Sequence, residues 1–319
     1  MPSPRRYPNS YRSKGADRVD GILNIRKESG YTSHDVIARL RGILHMRKIG
    51  HTGTLDPMAE GVLPVCVGAA TKLCEELSDH DKEYEAVMLL GKTYDTLDIT
   101  GTVQKEYEIM STKEDIEKAV SAFIGGYDQI PPMYSAKKVD GKRLYDIARA
   151  GGTIERKSVF VKIYDITIID VDIPYVKIRV KCGKGTYIRS LIDDIGKKLG
   201  CGAAMSALVR TGVGDFTIDR SYSLADIEEA VKNDKISDVI ISIETLFGDL
   251  DAVYTTPELS RLVRCGNILP GREVAKTLSV SGRPAEGTRV RVYDAEKKLT
   301  GIYEYKTARD IYKPYRMFL

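Results

Sequence analysis

The chain reads as an α+β protein, and three observations carry that reading. Apolar stretches with helix and strand periodicity follow one another without the regular βαβ alternation of a doubly wound sheet. Val159 to Asp172 and Tyr175 to Cys182 are β-branched runs joined near Pro174, which predicts an antiparallel pair. After about residue 248 the texture changes. Thr288–Ala295 and Leu299–Lys306 alternate around a Glu-Lys-Lys turn, as expected of a small β-rich terminal domain. At 319 residues the length suits about two domains of roughly 150 residues each.

The elements follow in order. Residues 1–16 contain Pro2, Pro4 and Pro8 and no hydrophobic period, so a disordered basic arm is expected there. Gly21 to Ile25 reads as a buried strand. Ser33 is the expected N-cap of a helix reaching about Met46, with Val36, Ile37, Leu40, Ile43 and Leu44 at helical spacing. Gly61 to Val67 and Tyr84 to Leu90 read as strands. Thr112 with Asp115 is a capping signal for a helix to about Phe123. Ile130-Pro131-Pro132 breaks the pattern, and a short helix is expected around Arg143 to Ala150, stopped by Gly151-Gly152. Gly183 to Thr186 turns the chain into a helix from about Ser190 to Leu199, closed by Gly200. Ser223 begins another.

Composition narrows the class. Hydrophobic content of 42% and charged content of 29% are those of a globular protein. No run approaches the roughly 18 apolar residues of a membrane helix. Met1 to Lys14 is polar and basic, so no signal peptide is expected and the cytoplasm is the expected location. The five cysteines form no CxxC pair, and the four histidines form no metal-spaced group, so neither a disulfide framework nor a catalytic metal is expected. The net charge of +4 is concentrated: residues 1–18 and residues 133–157 each carry +4. Two such patches suit phosphate contacts, and equally suit a solvated tail and a solvated helix.

The most informative stretch is Gly50-His51-Thr52-Gly53-Thr54-Leu55-Asp56-Pro57-Met58-Ala59-Glu60-Gly61. Its glycines and proline let backbone fold tightly around one carboxylate, Asp56. Arg39, Arg41, Arg47 and Lys48 precede it, a cationic approach suited to an anionic substrate. On composition alone it reads equally as a polar turn. A second candidate is Gly183-Lys184-Gly185-Thr186-Tyr187-Ile188-Arg189, where Arg189 offers a planar fork matched to a carboxylate. The same stretch also reads as a plain strand-to-helix turn, and it lacks P-loop spacing. Asp81-Lys82-Glu83-Tyr84 offers a tyrosine for base stacking or for the core. Pro131 to Gly151 interleaves Lys137, Lys138, Arg143 and Arg149 with Tyr134 and Tyr145, which suits phosphate contact and stacking.

Together and in this order, from about Asp20 to Arg210, these blocks resemble the TruB family of pseudouridine synthases. The resemblance implies a mixed, largely antiparallel sheet flanked by helices in a catalytic domain of residues 17–247, and a PUA-like RNA-binding domain of residues 248–319. It implies isomerisation of uridine to pseudouridine at position 55 in the T-loop of tRNA, by base flipping and attack of Asp56, with no cofactor. In that reading Arg189 pairs with Asp56, and Tyr84 lies against the target base with Tyr187 near it. Leu208 lines the pocket, and His51 takes the space the flipped nucleotide leaves. Lys72 and Lys82 are implied at the phosphate or pocket edge, and residues 131–155 as a clamp on the T-arm. Glu60 and the N-terminal arm depart from the family pattern. The partner implied is tRNA, with no guide RNA and no membrane, and a monomer is expected. A guide-RNA-dependent synthase and a non-catalytic tRNA-folding chaperone are the alternatives.

Overall fold

The computed structural model describes residues 19–135, 138–139, 142–143, 147, 152, 154–278 and 283–319. The N-terminal arm, Lys137 and Arg149 lie outside the described residues. The first part holds β1 (Gly21–Lys27), α1 (Ser33–Ile43), β2 (Ile49–His51), β3 (Glu60–Val67) and β4 (Lys82–Leu90). It continues with α2 (Lys113–Ser121), β5 (Ile163–Asp172), β6 (Tyr175–Cys182), α3 (Ile188–Leu199), β7 (Ala203–Val213), α4 (Leu224–Lys232) and β8 (Ile240–Ser242). The strands form one nine-stranded sheet in the order β5-β6-β4-β7-β3-β1-β8, with β2 beside β3 and Phe216–Thr217 beside β7. Its pairs are antiparallel except β7 with β3, which run parallel where Val209 meets Glu60 and Arg210 meets Gly61.

The alternation of the strands decides what covers each face. Leu23 and Ile25 of β1, with Leu63, Val65 and Val67 of β3, join a core closed by Val36, Ile37 and Leu40 of α1 and by α2, α3 and α4. Ile22, Val62 and Cys66 point to the other face and pack with Ile302, Leu299 and Phe318. Those last residues belong to a second unit, Ile302 and Leu299 in its sheet and Phe318 just after its last strand. It contains β9 (Asp251–Tyr254), α5 (Pro257–Arg264), β10 (Leu269–Pro270), α6 (Gly271–Leu278), β11 (Arg289–Tyr293), β12 (Leu299–Lys306) and β13 (Ile311–Met317), in the order β9-β11-β12-β13-β10. Val263, Val290, Val292, Tyr303 and Tyr305 give this β-rich terminal unit a core of its own.

Three local expectations change. The N-cap of α1 is Thr32, whose side chain accepts from Asp35 N, and the helix ends at Ile43. Ser33 instead turns inward, where its Oγ donates to Leu55 O and accepts from Leu55 N. Val159–Val161 leaves the long hairpin and pairs with Tyr127–Gln129. Of the helix expected around Arg143 to Ala150, Ile147 is helical, Arg143 instead pairs with Lys138 in a two-residue ladder, and the other residues lie outside the described ones.

The α3–β7 crossing is close because Gly196 has no Cβ. A side chain there would collide with the backbone of Gly202 and Ala203. Gly196→Ala is expected to cost about 2 kcal/mol, because overpacking outweighs the gain in helix propensity. The thermal midpoint should fall by roughly 5 °C. An unchanged midpoint would mean that the crossing has room to spare.

Candidate active site

Asp56 sits in the loop between β2 and β3, and the loop is pinned on several sides. Ser33 brackets the Leu55 peptide, Gly30 N donates to Pro57 O at 2.9 Å, and Ala59 N donates to Asp56 O at 3.1 Å. Lys27, at the end of β1, is 1% exposed. Its ammonium donates to the carbonyls of Glu28, Tyr31 and Pro57 at 3.0, 2.6 and 3.0 Å. Burial pushes that lysine down from 10.5 to about 8. The unfolded chain therefore binds an extra proton between these values, and stability linked to Lys27 rises with pH across them. Relative to Lys27→Met, wild type should gain about 2 kcal/mol as pH rises from about 8 to about 10. Chemical denaturation at each pH checks this, and a flat difference would mean that the ammonium is not desolvated.

Arg189, in the first turn of α3, is 6% exposed and reaches Asp56 side-on. Its Nε lies 2.9 Å from Asp56 Oδ2, and its Nη2 donates to Oδ1 at 3.2 Å. The other donors are also used. Nη1 meets Thr96 O at 3.1 Å and Asp98 Oδ2 at 3.5 Å, and Nη2 meets Tyr134 O at 2.8 Å. A guanidinium held on every side cannot swing, so it orients the carboxylate as well as pairing with it. The Asp56 side chain keeps 37% of its surface open. Burial still pushes its carboxyl above the usual carboxylate range, Arg189 pulls it back only in part, and Asp98 adds to the rise.

A cavity of about 290 Å³ opens over this pair. Asp56, Arg189, Tyr84, Tyr187, Leu208 and Lys82 all line it, although 152 residues of chain separate Asp56 from Leu208. The volume is at the small end of ligand sites, which run from roughly 300 to 1,000 Å³, so it suits one nucleoside rather than a helix. Tyr84 belongs to a buried stripe of alternate β4 residues, and burial keeps its phenol neutral by raising it above the usual range.

Three expected site residues are engaged elsewhere. Lys72 Nζ donates to the carbonyls of Met317 and Leu319 at 2.7 and 3.3 Å, so it holds the C-terminal strand end rather than the cavity edge. Lys82 borders the cavity, but its ammonium is turned to the carbonyls of Ser78 and His80. His51 is not among the cavity-lining residues; its Nδ1 accepts from Gly53 N at 3.3 Å and its ring meets His34 edge-on. Burial lowers its pKa, which favours the neutral imidazole that this acceptor role requires.

Three contributing residues escaped sequence reasoning. Asp98 is buried, accepts from Thr96, Thr100 and Arg189, and backs the arginine from behind. Buried Gln129 clamps Tyr187 at both backbone groups, accepting from its N at 2.8 Å and donating to its O at 3.1 Å. Arg210, 1% exposed on β7, donates to Val62 O at 2.7 Å and Gly53 O at 3.2 Å and lines the cavity beside Tyr84. A charge inside the apolar run of β7 was the visible signal for Arg210. Among the described residues no group of His, Cys, Asp and Glu could hold a metal.

Residues 41–188 match the family model described as TruB family pseudouridylate synthase (N terminal domain), and residues 189–248 match that described as tRNA pseudouridylate synthase B C-terminal domain. The chain is 46% identical over 314 residues to a tRNA pseudouridine synthase B of Lachnoclostridium phytofermentans, covering 94% of this chain and 100% of the relative. It is 42% identical over 284 residues to the protein of the same name from Clostridium acetobutylicum, covering 89% and 95%. Among solved structures it is similar to a chain of an H/ACA RNP bound to a substrate RNA containing 2′-deoxyuridine, with TM-score 0.67 and 25% identity, covering 94% of this chain and 85% of that one. The chain belongs to the TruB family of pseudouridylate synthases.

Proposed function

We propose that this enzyme isomerises the uridine at position 55 in the T-loop of tRNA to pseudouridine, with Asp56 as the nucleophile. The observation that carries the proposal is the bidentate Asp56–Arg189 pair in a nucleoside-sized cavity walled by Tyr84, Tyr187 and Leu208. The relatives named tRNA pseudouridine synthase B support tRNA as the substrate. The C1′–N1 bond breaks, the base turns, C1′–C5 forms, and the C5 proton leaves while N1 gains one. The target base must leave its stack to enter the cavity, at a cost of a few kcal/mol. Asp56 attacks as the carboxylate, at C1′ or at C6, and Arg189 holds it ionised and aimed.

Residues 131–155 serve as the clamp on the T-arm, with Lys137, Lys138, Arg143 and Arg149 on its phosphates. Residues 17–247 form the catalytic domain, and the terminal unit of residues 248–319 is a PUA-like second RNA contact. The enzyme acts as a monomer in the cytoplasm; no helix among the described residues is long and apolar enough to cross a membrane. The likeness to a chain of an H/ACA RNP favours a second reading, dependence on a guide RNA. The clamp segment argues against it, since a stand-alone enzyme needs its own grip on the T-arm. Tritium release from transcribed tRNA carrying 5-³H-uridine separates the two. Release without guide RNA or metal, mapped to the T-loop, is the expected result. Tight tRNA binding with no release would favour the guide-dependent or chaperone reading.

A further inference from the structure

The backbone that carries Tyr187 is held from outside its own helix. Tyr187 is half-buried and lines the cavity over Asp56. It precedes α3 in an extended conformation, with φ −100° and ψ 110°, and caps the helix without a side-chain hydrogen bond of its own. Helix starts leave backbone N–H groups in need of an outside acceptor. Gln129 Oε1 accepts from Tyr187 N at 2.8 Å. Gln129 Nε2 donates at 3.1 Å to the Tyr187 carbonyl, which also accepts from Leu191 N at 3.0 Å. One amide thus takes both backbone groups of one residue, which fixes which end of it is oxygen.

Gln129 is itself immobilised. It is 1% exposed, and its backbone is laddered to Val159. Its second amide hydrogen goes to Tyr127 Oη at 2.6 Å, and that hydroxyl donates to Asp194 Oδ2 on α3 at 3.1 Å. The chain Asp194–Tyr127–Gln129–Tyr187 therefore leaves the middle of α3 and returns to its start. Ser190 Oγ adds a further tie, donating to Ile130 O at 3.1 Å. Buried networks satisfied in this way rigidify what they touch. Arg189 does not depend on this one, because its fork is held by Thr96 O, Asp98 and Tyr134 O. Loss of Gln129 would release the Tyr187 wall and leave the Asp56–Arg189 pair in place.

We propose that Gln129 is a positioning residue for turnover, which fixes the Tyr187 ring as the wall that seats the flipped base; the assignment rests on reading the cavity as a uridine site. A base that must detach, turn and reattach reacts only if its ring stays aligned with the attacking carboxylate, and small misplacements are costly. RNA affinity is set mainly by phosphate contacts outside the cavity. The effect of Gln129 therefore falls on kcat rather than on KM.

The test measures kcat and KM by tritium release from a T-arm RNA hairpin, beside thermal melting. The variants are Gln129→Met and Tyr127→Phe, each made in wild type and in Tyr187→Leu. Gln129→Met keeps the length of the side chain and removes its hydrogen bonds. It should lower kcat roughly 10-fold with KM held. Its melting midpoint should fall by roughly 5 °C, so rates are read well below that midpoint. Tyr127→Phe spares the amide and removes only its outer support, so it should melt near wild type and lower kcat about 3-fold. In the Tyr187→Leu background both losses should vanish, because the ring they place is gone. Unchanged kcat in Gln129→Met would overturn the assignment. So would the same loss in both backgrounds, or a rise in KM alone, since Gln129 would then act through the fold or through RNA binding. If Tyr187→Leu shows no release, the separation of kcat from KM in Tyr127→Phe decides. No release by wild type would instead bring down the proposed function, and this assignment with it.

Discussion

Asp56→Asn is expected to abolish turnover, by on the order of 10³-fold or more in single-turnover tritium release, while leaving tRNA binding intact. The two side chains have nearly the same shape, so Arg189 keeps a neighbour of the same size. What is lost is the anion proposed to attack. Stability should change little, because burial already disfavours the charged form of Asp56 and Arg189 retains Asp98, Thr96 O and Tyr134 O as acceptors. Binding should be unchanged or slightly tighter, since one negative charge facing a polyanion has gone. A filter-binding titration beside the release assay makes the split visible. Turnover near wild type would remove Asp56 as nucleophile, whereas parallel loss of binding and rate would point to a damaged fold.

The sequence discloses this site unevenly, for physical reasons. Asp56 and Arg189 were legible because each lies in a local block whose glycines and aromatics betray a special backbone, and the order of the blocks carried the family resemblance. Helix ends set by local chemistry were also legible, as at Thr112 with Asp115, and at Gly200, which takes the left-handed conformation with φ 78°. What was hidden depends on contacts across the chain. Gln129 meets Tyr187 across 58 residues and Asp98 meets Arg189 across 91. No local period marks either one. Lys72 shows the limit most clearly: the family resemblance implies a phosphate or pocket-edge contact, but its ammonium goes to carbonyls 245 and 247 residues away. Thr32 and Ser33 are both competent caps, and the choice fell to Thr32 because Ser33 is committed to Leu55, 22 residues on.

Arg189→Met should move the acid limb of the pH–rate profile to higher pH and lower the rate at neutral pH by roughly 10²-fold. The sign follows from the two opposing influences on Asp56. Burial raises its pKa and the Arg189 cation lowers it. With the cation gone only the upward influences remain, including Asp98, so a larger share of Asp56 is protonated at any given pH. With the carboxylate as the proposed attacking species, the rate lost in the variant should be partly regained as pH rises, and the gap to wild type should narrow in the alkaline range. Arg189→Lys separates charge from orientation. A lysine restores the cation but not the side-on fork that fixes both carboxylate oxygens, nor the simultaneous contacts to Thr96, Asp98 and Tyr134. Its acid limb should return toward the wild-type position while its maximal rate stays depressed. If both variants lost rate with no movement of the limb, Arg189 would act through geometry alone. If Arg189→Met kept the wild-type rate and profile, the pair would be structural and the nucleophile would have to be sought elsewhere in the cavity.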